Sequence, residues 1–238
     1  MDKLVPHLLA EILPPEEKKL WENTLAAGVL AQSLVGGIAV GGTAAAIYAG
    51  HRLSIDTDHL MMDLRGHFDE VLEKLSDSSV WKTARLKRPV LILGSINNCE
   101  VGFRQSFRTT PIETVKVETS FGDLEIPTLD EMIGMKAFLL YRRNALRDFL
   151  DFAALAECTS DEEVLASLLR LDERYGELQT NSLRLDVSRS LVNPEPEDLD
   201  GTEISHYKAL APEWHDWDRT RDICKKFGFM LGEHIIQS

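Results

Sequence analysis

The chain has 238 residues, 44% hydrophobic and 27% charged, with a net charge of −13 and a pI near 5.0. A chain of this length can bury a hydrophobic core without disulfides or bound metals, and the composition excludes a disordered chain. The net charge argues against a protein that coats nucleic acid or an anionic membrane with a basic surface. Cys99, Cys158 and Cys224 are odd in number and widely spaced. They therefore argue against a disulfide framework or a zinc knuckle and favour a reducing, cytoplasmic location.

One long uncharged stretch raises the question of a membrane span. Residues 23–50 carry no charge over 28 positions, which is long enough for a transmembrane helix. The stretch includes the pairs Gly36-Gly37 and Gly41-Gly42, and glycine pairs break helices and mark turns. The N-terminal residues also lack the apolar run of a signal peptide. We therefore expect a buried helix–strand–turn–helix unit and no membrane segment.

The hydrophobic patterning up to about residue 127 predicts a mixed α/β region. Pro14-Pro15-Glu16-Glu17 is typical of a helix start, and Thr43 is expected to cap a short helix over 44–49. The alternation at 114–119 points Val115 and Val117 one way and Lys116 and Glu118 the other. The predicted elements are a helix at 15–33, strands at 35–40 and 55–64, a helix at 67–76, and strands between 90 and 126.

From Thr128 onward the pattern is helical. Thr128-Leu-Asp-Glu131 is typical of a capping box, and a polar, proline-containing linker lies at about 193–201. The predicted helices are 130–143, 145–157, 161–175 and 180–192, followed by a tryptophan-bearing helical tail. The sequence therefore predicts an α+β chain with two domains, a mixed-sheet core at 1–127 and an all-helical domain at 128–238.

A glycine pair and two acids make the most informative pattern. Gly41-Gly42-Thr43 precedes a helix, whose N-terminal N–H groups can bind phosphates. Asp56 and Asp58 lie two apart on the next strand and so project from one face, where two carboxylates suit a hard divalent cation. Neither motif alone is specific evidence of a functional site, because Asp-x-Asp is common in acidic proteins and Gly-Gly-Thr by itself indicates only a turn. Their order and spacing together favour nucleotidyl transfer.

The stretch Gly41-Gly42-Thr43-Ala44…Gly50-His51-Arg52-Leu-Ser54-Ile-Asp56-Thr-Asp58 resembles the AbiEii/AbiGii toxin group of the polymerase-β-like nucleotidyltransferase superfamily. The resemblance continues in Lys116-Val-Glu118, in Lys136 and in Arg147-Asp148-Phe149-Leu150-Asp151, and covers about 35–157. It implies a polymerase-β-like nucleotidyltransferase core, followed by a helical domain.

The same resemblance implies roles for particular residues. Asp56, Asp58 and Glu118 would hold Mg²⁺ or Mn²⁺, with Glu118 completing the site or serving as base. The nucleoside triphosphate would contact Gly41, Gly42, Thr43, Arg52, Ser54 and Lys136. Asp148 and Asp151 would position Lys136, the base or the acceptor.

Other readings of these residues stay open. Glu118 is equally consistent with an exposed strand acid, and Lys136 with a lysine whose stem packs in a helix. Arg147 and Asp151 also form an i,i+4 pair. His51 and Arg52 either line the pocket or sit at a helix C-terminus.

The predicted function is transfer of NMP from an NTP to a hydroxyl on an RNA 3′ end or a protein. The resemblance adds a toxin role with an antitoxin partner. The alternatives are a non-catalytic nucleotide-binding or interaction module and a small-molecule, antibiotic-type nucleotidyltransferase.

The acidity is unevenly distributed. Residues 152–238 hold 18 acidic and 9 basic side chains, whereas residues 82–108 hold six basic residues and one acid, Glu100. The net charge therefore does not exclude an RNA acceptor at the N-terminal site. Residues 82–88 are also consistent with a solvated strand edge.

Overall fold

The structure is a computed structural model that describes residues 13–178 and 182–237. The chain divides into two compact units, Met1–Thr128 and Leu129–Ser238. The α+β fold class predicted from the sequence is confirmed, with a mixed sheet and flanking helices first and helices afterwards.

The first unit contains three helices and seven strands among its described residues. In chain order these are α1 (Pro15–Val35), β1 (Ile38–Val40), α2 (Gly41–Ala49), β2 (Asp56–Met61), α3 (Leu64–Ser76), β3 (Trp81–Lys87), β4 (Leu91–Ile96), β5 (Cys99–Gln105), β6 (Thr114–Thr119) and β7 (Gly122–Pro127).

Five strands form one sheet in the order β1-β2-β5-β4-β3, and β6 and β7 form a separate hairpin. Only the β2–β5 pair of the large sheet is parallel. Directly opposite residues point to the same face of a sheet. The ladder therefore assigns each strand residue to one of two faces.

One face of the sheet is covered by α1 and α3, and we call it the covered face. Helix α3 presents Leu64, Phe68, Val71 and Leu75 at helical spacing to a buried cluster that includes Phe103. His59 also points to this face, with its ring 5.3 Å from that of Phe103. Burial lowers the pKa of His59 to about 3, so this imidazole is neutral at physiological pH and belongs to the core.

The other face, which we call the open face, carries Asp56, Asp58 and Leu60 on β2 and Glu100, Gly102 and Arg104 on β5. Its side chains are half-buried or exposed, apart from Gly102. The open face is therefore where polar groups of this sheet can meet a ligand.

Two helix starts differ from the predictions. Helix α2 begins at Gly41, so the prediction that Thr43 caps a helix starting at residue 44 is wrong; the N-cap residue is Val40, and no side chain caps the helix. Helix α3 begins with a turn at Leu64, three residues before the predicted start, where the Asp63 carboxylate accepts a hydrogen bond from the Gly66 N–H at 3.1 Å; a kink at His67 separates this turn from the rest of the helix.

The second unit contains helices and no strand among its described residues, and an irregular stretch with two short 3-10 turns joins Val192 to Trp217. Its helices are α4 (Leu129–Arg143), α5 (Leu146–Ala156), α6 (Asp161–Leu169), α7 (Leu171–Tyr175), α8 (Leu183–Val192) and α9 (Trp217–Gln237). The predicted single helix at 161–175 is broken near Arg170, and residues 180 and 181 of the predicted helix 180–192 lie outside the described residues. No helix in the described ranges is long and apolar enough to cross a membrane.

Candidate functional site

The N-terminus of α2 forms one side of the candidate site. A Cβ atom at Gly42 would lie 2.7 Å from the Ser54 hydroxyl oxygen and 2.8 Å from the Arg52 guanidinium. Only glycine leaves room for these two groups to come against the helix start. Arg52 is 7% exposed, so its charge is held in place rather than extended into solvent. A cation and a helix N-terminus without a side-chain cap thus present positive potential at the same point.

Two hydroxyl groups tie this helix start to the beginning of β2. The Ser54 hydroxyl donates to Asp56 Oδ1 at 2.8 Å, which orients that carboxylate. The buried Thr43 hydroxyl donates to the Asp56 backbone oxygen at 2.5 Å. The structure therefore brings together Gly42, Thr43, Ser54 and Asp56, and it gives the Thr43 hydroxyl a partner in the chain itself.

Asp58 lies two residues further along the open face. The ladder places it opposite Gly102, where a Cβ atom would be 2.3 Å from Asp58 Oδ1. The absent side chain lets the carboxylate lie over β5, where Arg104 Nε donates to the same Oδ1 at 2.9 Å. The other oxygen, Oδ2, is 3.9 Å from the Cβ position of Gly41. Asp58 therefore spans the distance between β5 and the start of α2.

Glu118 lies in the β6–β7 hairpin, which shares no ladder with β2 among the described residues. Glu118 lies on β6, exposed and opposite Asp123 in the separate hairpin. Its strand was predicted correctly, but alternation does not reveal which strand it pairs with. The acid directly opposite Asp56 is Glu100 on β5. In the sequence, Glu100 is distinguished only as the single acid in a basic stretch, and no local motif indicates a site there.

The donor chemistry of the open face fits a hard divalent cation such as Mg²⁺. Asp56 and Asp58 supply carboxylate oxygens from one strand face, and Mg²⁺ in phosphate-handling sites is commonly held by one or two carboxylates together with substrate phosphates and water. Within the described ranges, no three Asp, Glu, His or Cys side chains form a group that could hold a metal. The fit is therefore to a two-carboxylate site completed by a substrate.

Lys136, Asp148 and Asp151 form a second cluster, inside the helical unit. The Lys136 ammonium lies 3.1 Å from Asp148 Oδ1 and 2.6 Å from Asp151 Oδ2, and all three side chains are at most 4% exposed. Asp148 Oδ2 is buried with no hydrogen-bond partner among the described residues. The Lys136 ammonium is therefore engaged by both carboxylates.

The chain matches only a small part of each curated relative. The chain is 31% identical over 120 residues to the mycolic acid-containing lipids exporter MmpL11 of Mycolicibacterium smegmatis. It is 34% identical over 121 residues to the heme uptake protein MmpL11 of Mycobacterium tuberculosis. Each match spans 49% of this chain and 12% of the relative. Those names describe those proteins, and no family model matches the chain.

Solved structures match almost the whole chain. Protein JHP933 from Helicobacter pylori covers 94% of this chain and 95% of its own, with a TM-score of 0.55 and 15% identity. A candidate nucleotidyltransferase from H. pylori covers 94% and 98%, with a TM-score of 0.53 and 15% identity. The chain has the fold of these proteins. At this identity the likeness concerns the fold, and the narrower AbiEii/AbiGii assignment stays a prediction.

We predict that Lys136→Met destabilises the protein by about 3–5 kcal/mol, because removing one partner of a buried ion pair leaves carboxylates without their counter-ion. Urea unfolding measures this loss. Lys226→Met is the matched control, because Lys226 pairs with Asp161 with both side chains more than two-fifths exposed. The control should lose about 1 kcal/mol or less. Equal losses in the two variants would contradict a structural role for the cluster.

Proposed function

We propose that the protein is a Mg²⁺- or Mn²⁺-dependent nucleotidyltransferase that moves NMP from an NTP to a hydroxyl acceptor. The observation that carries this proposal is the juxtaposition of two features. The start of α2 lies against Arg52 and Ser54, and the carboxylates of Asp56 and Asp58 lie beside it on one strand face. The first feature suits an anion and the second a divalent cation.

The triphosphate would bind at the start of α2. The N–H groups of Gly41 and Gly42 and the Arg52 guanidinium would neutralise its oxygens, and the Ser54 hydroxyl lies at the same point. A bulkier residue at position 42 would displace Arg52 and Ser54 before any ligand arrived. Lys136 is not assigned to this phosphate site, because its ammonium is held by Asp148 and Asp151 within the helical unit.

Asp56 and Asp58 would hold the metal. When bound, the metal would neutralise phosphate charge and lower the pKa of an attacking hydroxyl. Ser54 fixes Asp56 by its hydrogen bond, and Gly102 leaves the space in which Asp58 lies. The chain's own part is therefore to hold two carboxylates and a phosphate site in one fixed arrangement, so that the reacting groups are aligned in line.

The open face extends from the two carboxylates to a basic edge, which we define as Lys82, Arg85 and Lys87 on β3. The ladder forms three rows on this face, running Asp56-Glu100-Ser95-Lys82, Asp58-Gly102-Leu93-Arg85 and Leu60-Arg104-Leu91-Lys87. The irregularity between Thr83 and Arg85 brings Arg85 onto the same face as its two neighbours. Each row ends in a cation.

These rows favour a polynucleotide as the acceptor. Three strand spacings of about 4.8 Å separate the carboxylates from the basic edge, about 14 Å in all, which is the axial length of about four stacked nucleotides. All three basic side chains are exposed, and none forms an ion pair with another described residue. Lysine also protects edge strands, but protection alone does not require three cations on one face. A toxin role with an antitoxin partner rests on the sequence resemblance alone.

The first test is labelling with α-³²P-NTPs in cell extract. Asp56→Asn and Asp58→Asn should each reduce labelling at least about a hundredfold, since each removes a charge assigned to the metal. Asp123→Asn, an exposed acid on β7, is the control and should label normally. Labelling that persists in the first two variants would contradict the proposal. Binding of NTP without pyrophosphate release would instead favour the non-catalytic module.

A second comparison asks which acid serves beside the metal pair. In the same assay, Glu100→Gln should reduce transfer more than Glu118→Gln, because Glu100 lies opposite Asp56 whereas Glu118 lies in the separate hairpin. Both changes remove one exposed charge from a strand, so the variants are matched. A larger loss of transfer activity in Glu118→Gln would favour Glu118, the acid that the sequence resemblance indicates.

The third test concerns the basic edge. Replacing Lys82, Arg85 and Lys87 with Gln should weaken binding of a labelled single-stranded RNA about ten- to a hundredfold at low salt. It should also reduce the slope of log K against log salt by about 2, because each phosphate contact on a single strand contributes about 0.7. Fluorescence anisotropy over a salt series measures both.

The control replaces Lys18, Lys19 and Arg65, which are exposed elsewhere on the first unit. Like the basic-edge variant, the control loses two lysines and one arginine. It should leave the slope of log K against log salt within error of that of the unmodified protein. Equal effects in the two triple variants would show a non-specific charge effect. Transfer to a protein acceptor that persists in the basic-edge variant would contradict the polynucleotide proposal.

A further inference from the structure

Arg104 is a cation of the large sheet whose side chain contacts the carboxylate pair, through Asp58. The ladder places it opposite Leu60, yet its Nε bonds to Asp58 Oδ1 at 2.9 Å. It can reach back because Gly102, which lies opposite Asp58, has no side chain in the way. The two side chains are 39% and 29% exposed, so solvent and ions have access to the pair.

The bond divides the two oxygens of Asp58 between different neighbours. Oδ1 faces β5 and is held by Arg104, whereas Oδ2 faces Gly41 at the start of α2. Arg104 therefore restricts the rotation of the carboxylate. It also leaves the oxygen on the phosphate side without this positive neighbour.

We propose that Arg104 is a positioning residue that acts as the resident counter-cation of Asp58 and lowers the affinity of the empty site for a divalent metal. A guanidinium so close to a carboxylate neutralises much of the charge that would attract a second cation. The inference rests on the proposed function, because it takes Asp56 and Asp58 as the metal ligands. It adds that the metal binds well only when a triphosphate supplies further negative charge.

The test measures Mn²⁺ binding to the full chain without nucleotide, from the loss of the free Mn²⁺ signal in electron paramagnetic resonance. Arg104→Gln should bind Mn²⁺ about three- to fivefold more tightly than the unmodified protein, as expected for loss of a partly exposed ion pair. Arg104→Lys keeps the charge and should stay within about twofold. Arg65→Gln, an exposed arginine at the start of α3, is the control for net charge and should not change binding.

A thermal-denaturation series gives a second readout that folding defects cannot imitate. A merely structural role would lower Tm equally with and without Mn²⁺. Under the proposal, the rise in Tm caused by a subsaturating Mn²⁺ concentration is larger in Arg104→Gln, because tighter binding to the folded state stabilises it more. Asp58→Asn should remove most of this rise in either background.

Two outcomes separate the two proposals. Unchanged or weaker Mn²⁺ binding in Arg104→Gln, with measurable Mn²⁺ binding in the unmodified protein, overturns the role of Arg104 and leaves the metal site intact. Failure of all variants to bind Mn²⁺, even with an added NTP, overturns the metal-dependent function and this inference together.

Discussion

The parallel pairing of β2 with β5 is the constraint on which the candidate site depends. Because directly opposite residues share a face, this one register places His59 beside Phe103 in the core and Asp58 beside Gly102 on the open face. A slip of one residue would exchange the two sets and bury the acids. The apolar residues of the covered face therefore fix the register on which the geometry of the candidate site depends.

Missing side chains matter as much as charged ones at this site. Gly42 and Gly102 each lie where a Cβ would collide with a polar group, with Arg52 and Ser54 in one case and Asp58 in the other. These two positions do not need glycine for its backbone freedom, since neither has a positive φ. They need it for close approach, so that three or four polar groups can converge in a space that a methyl group would fill.

Local signals in the sequence predicted the fold class, most helices and the combination of a glycine-rich helix start with Asp56, whereas Ser54 was indicated by the resemblance. These features depend on the spacing of residues that are close in sequence, and that spacing can be read directly from the sequence. Strand pairing does not, because neighbouring strands can be distant in sequence. The position of Glu100 opposite Asp56 and the reach of Arg104 to Asp58 are set by a ladder joining residues more than 40 apart. The same limit explains why Glu118 was assigned to a strand correctly but to the metal pair only by resemblance.

Lys136 is buried and paired in the helical unit, whereas the cations of the basic edge are exposed on the open face of the first unit. In the helical unit, Lys136 is enclosed with two carboxylates, so its charge is compensated internally and costs desolvation. On the open face, Lys82, Arg85 and Lys87 remain hydrated and are neutralised by no neighbour in the described ranges. A net charge of −13 therefore says little about ligands. A long polyanion repelled by most of the surface would meet attraction at the basic edge, and the sheet rows lead from that edge to the two carboxylates.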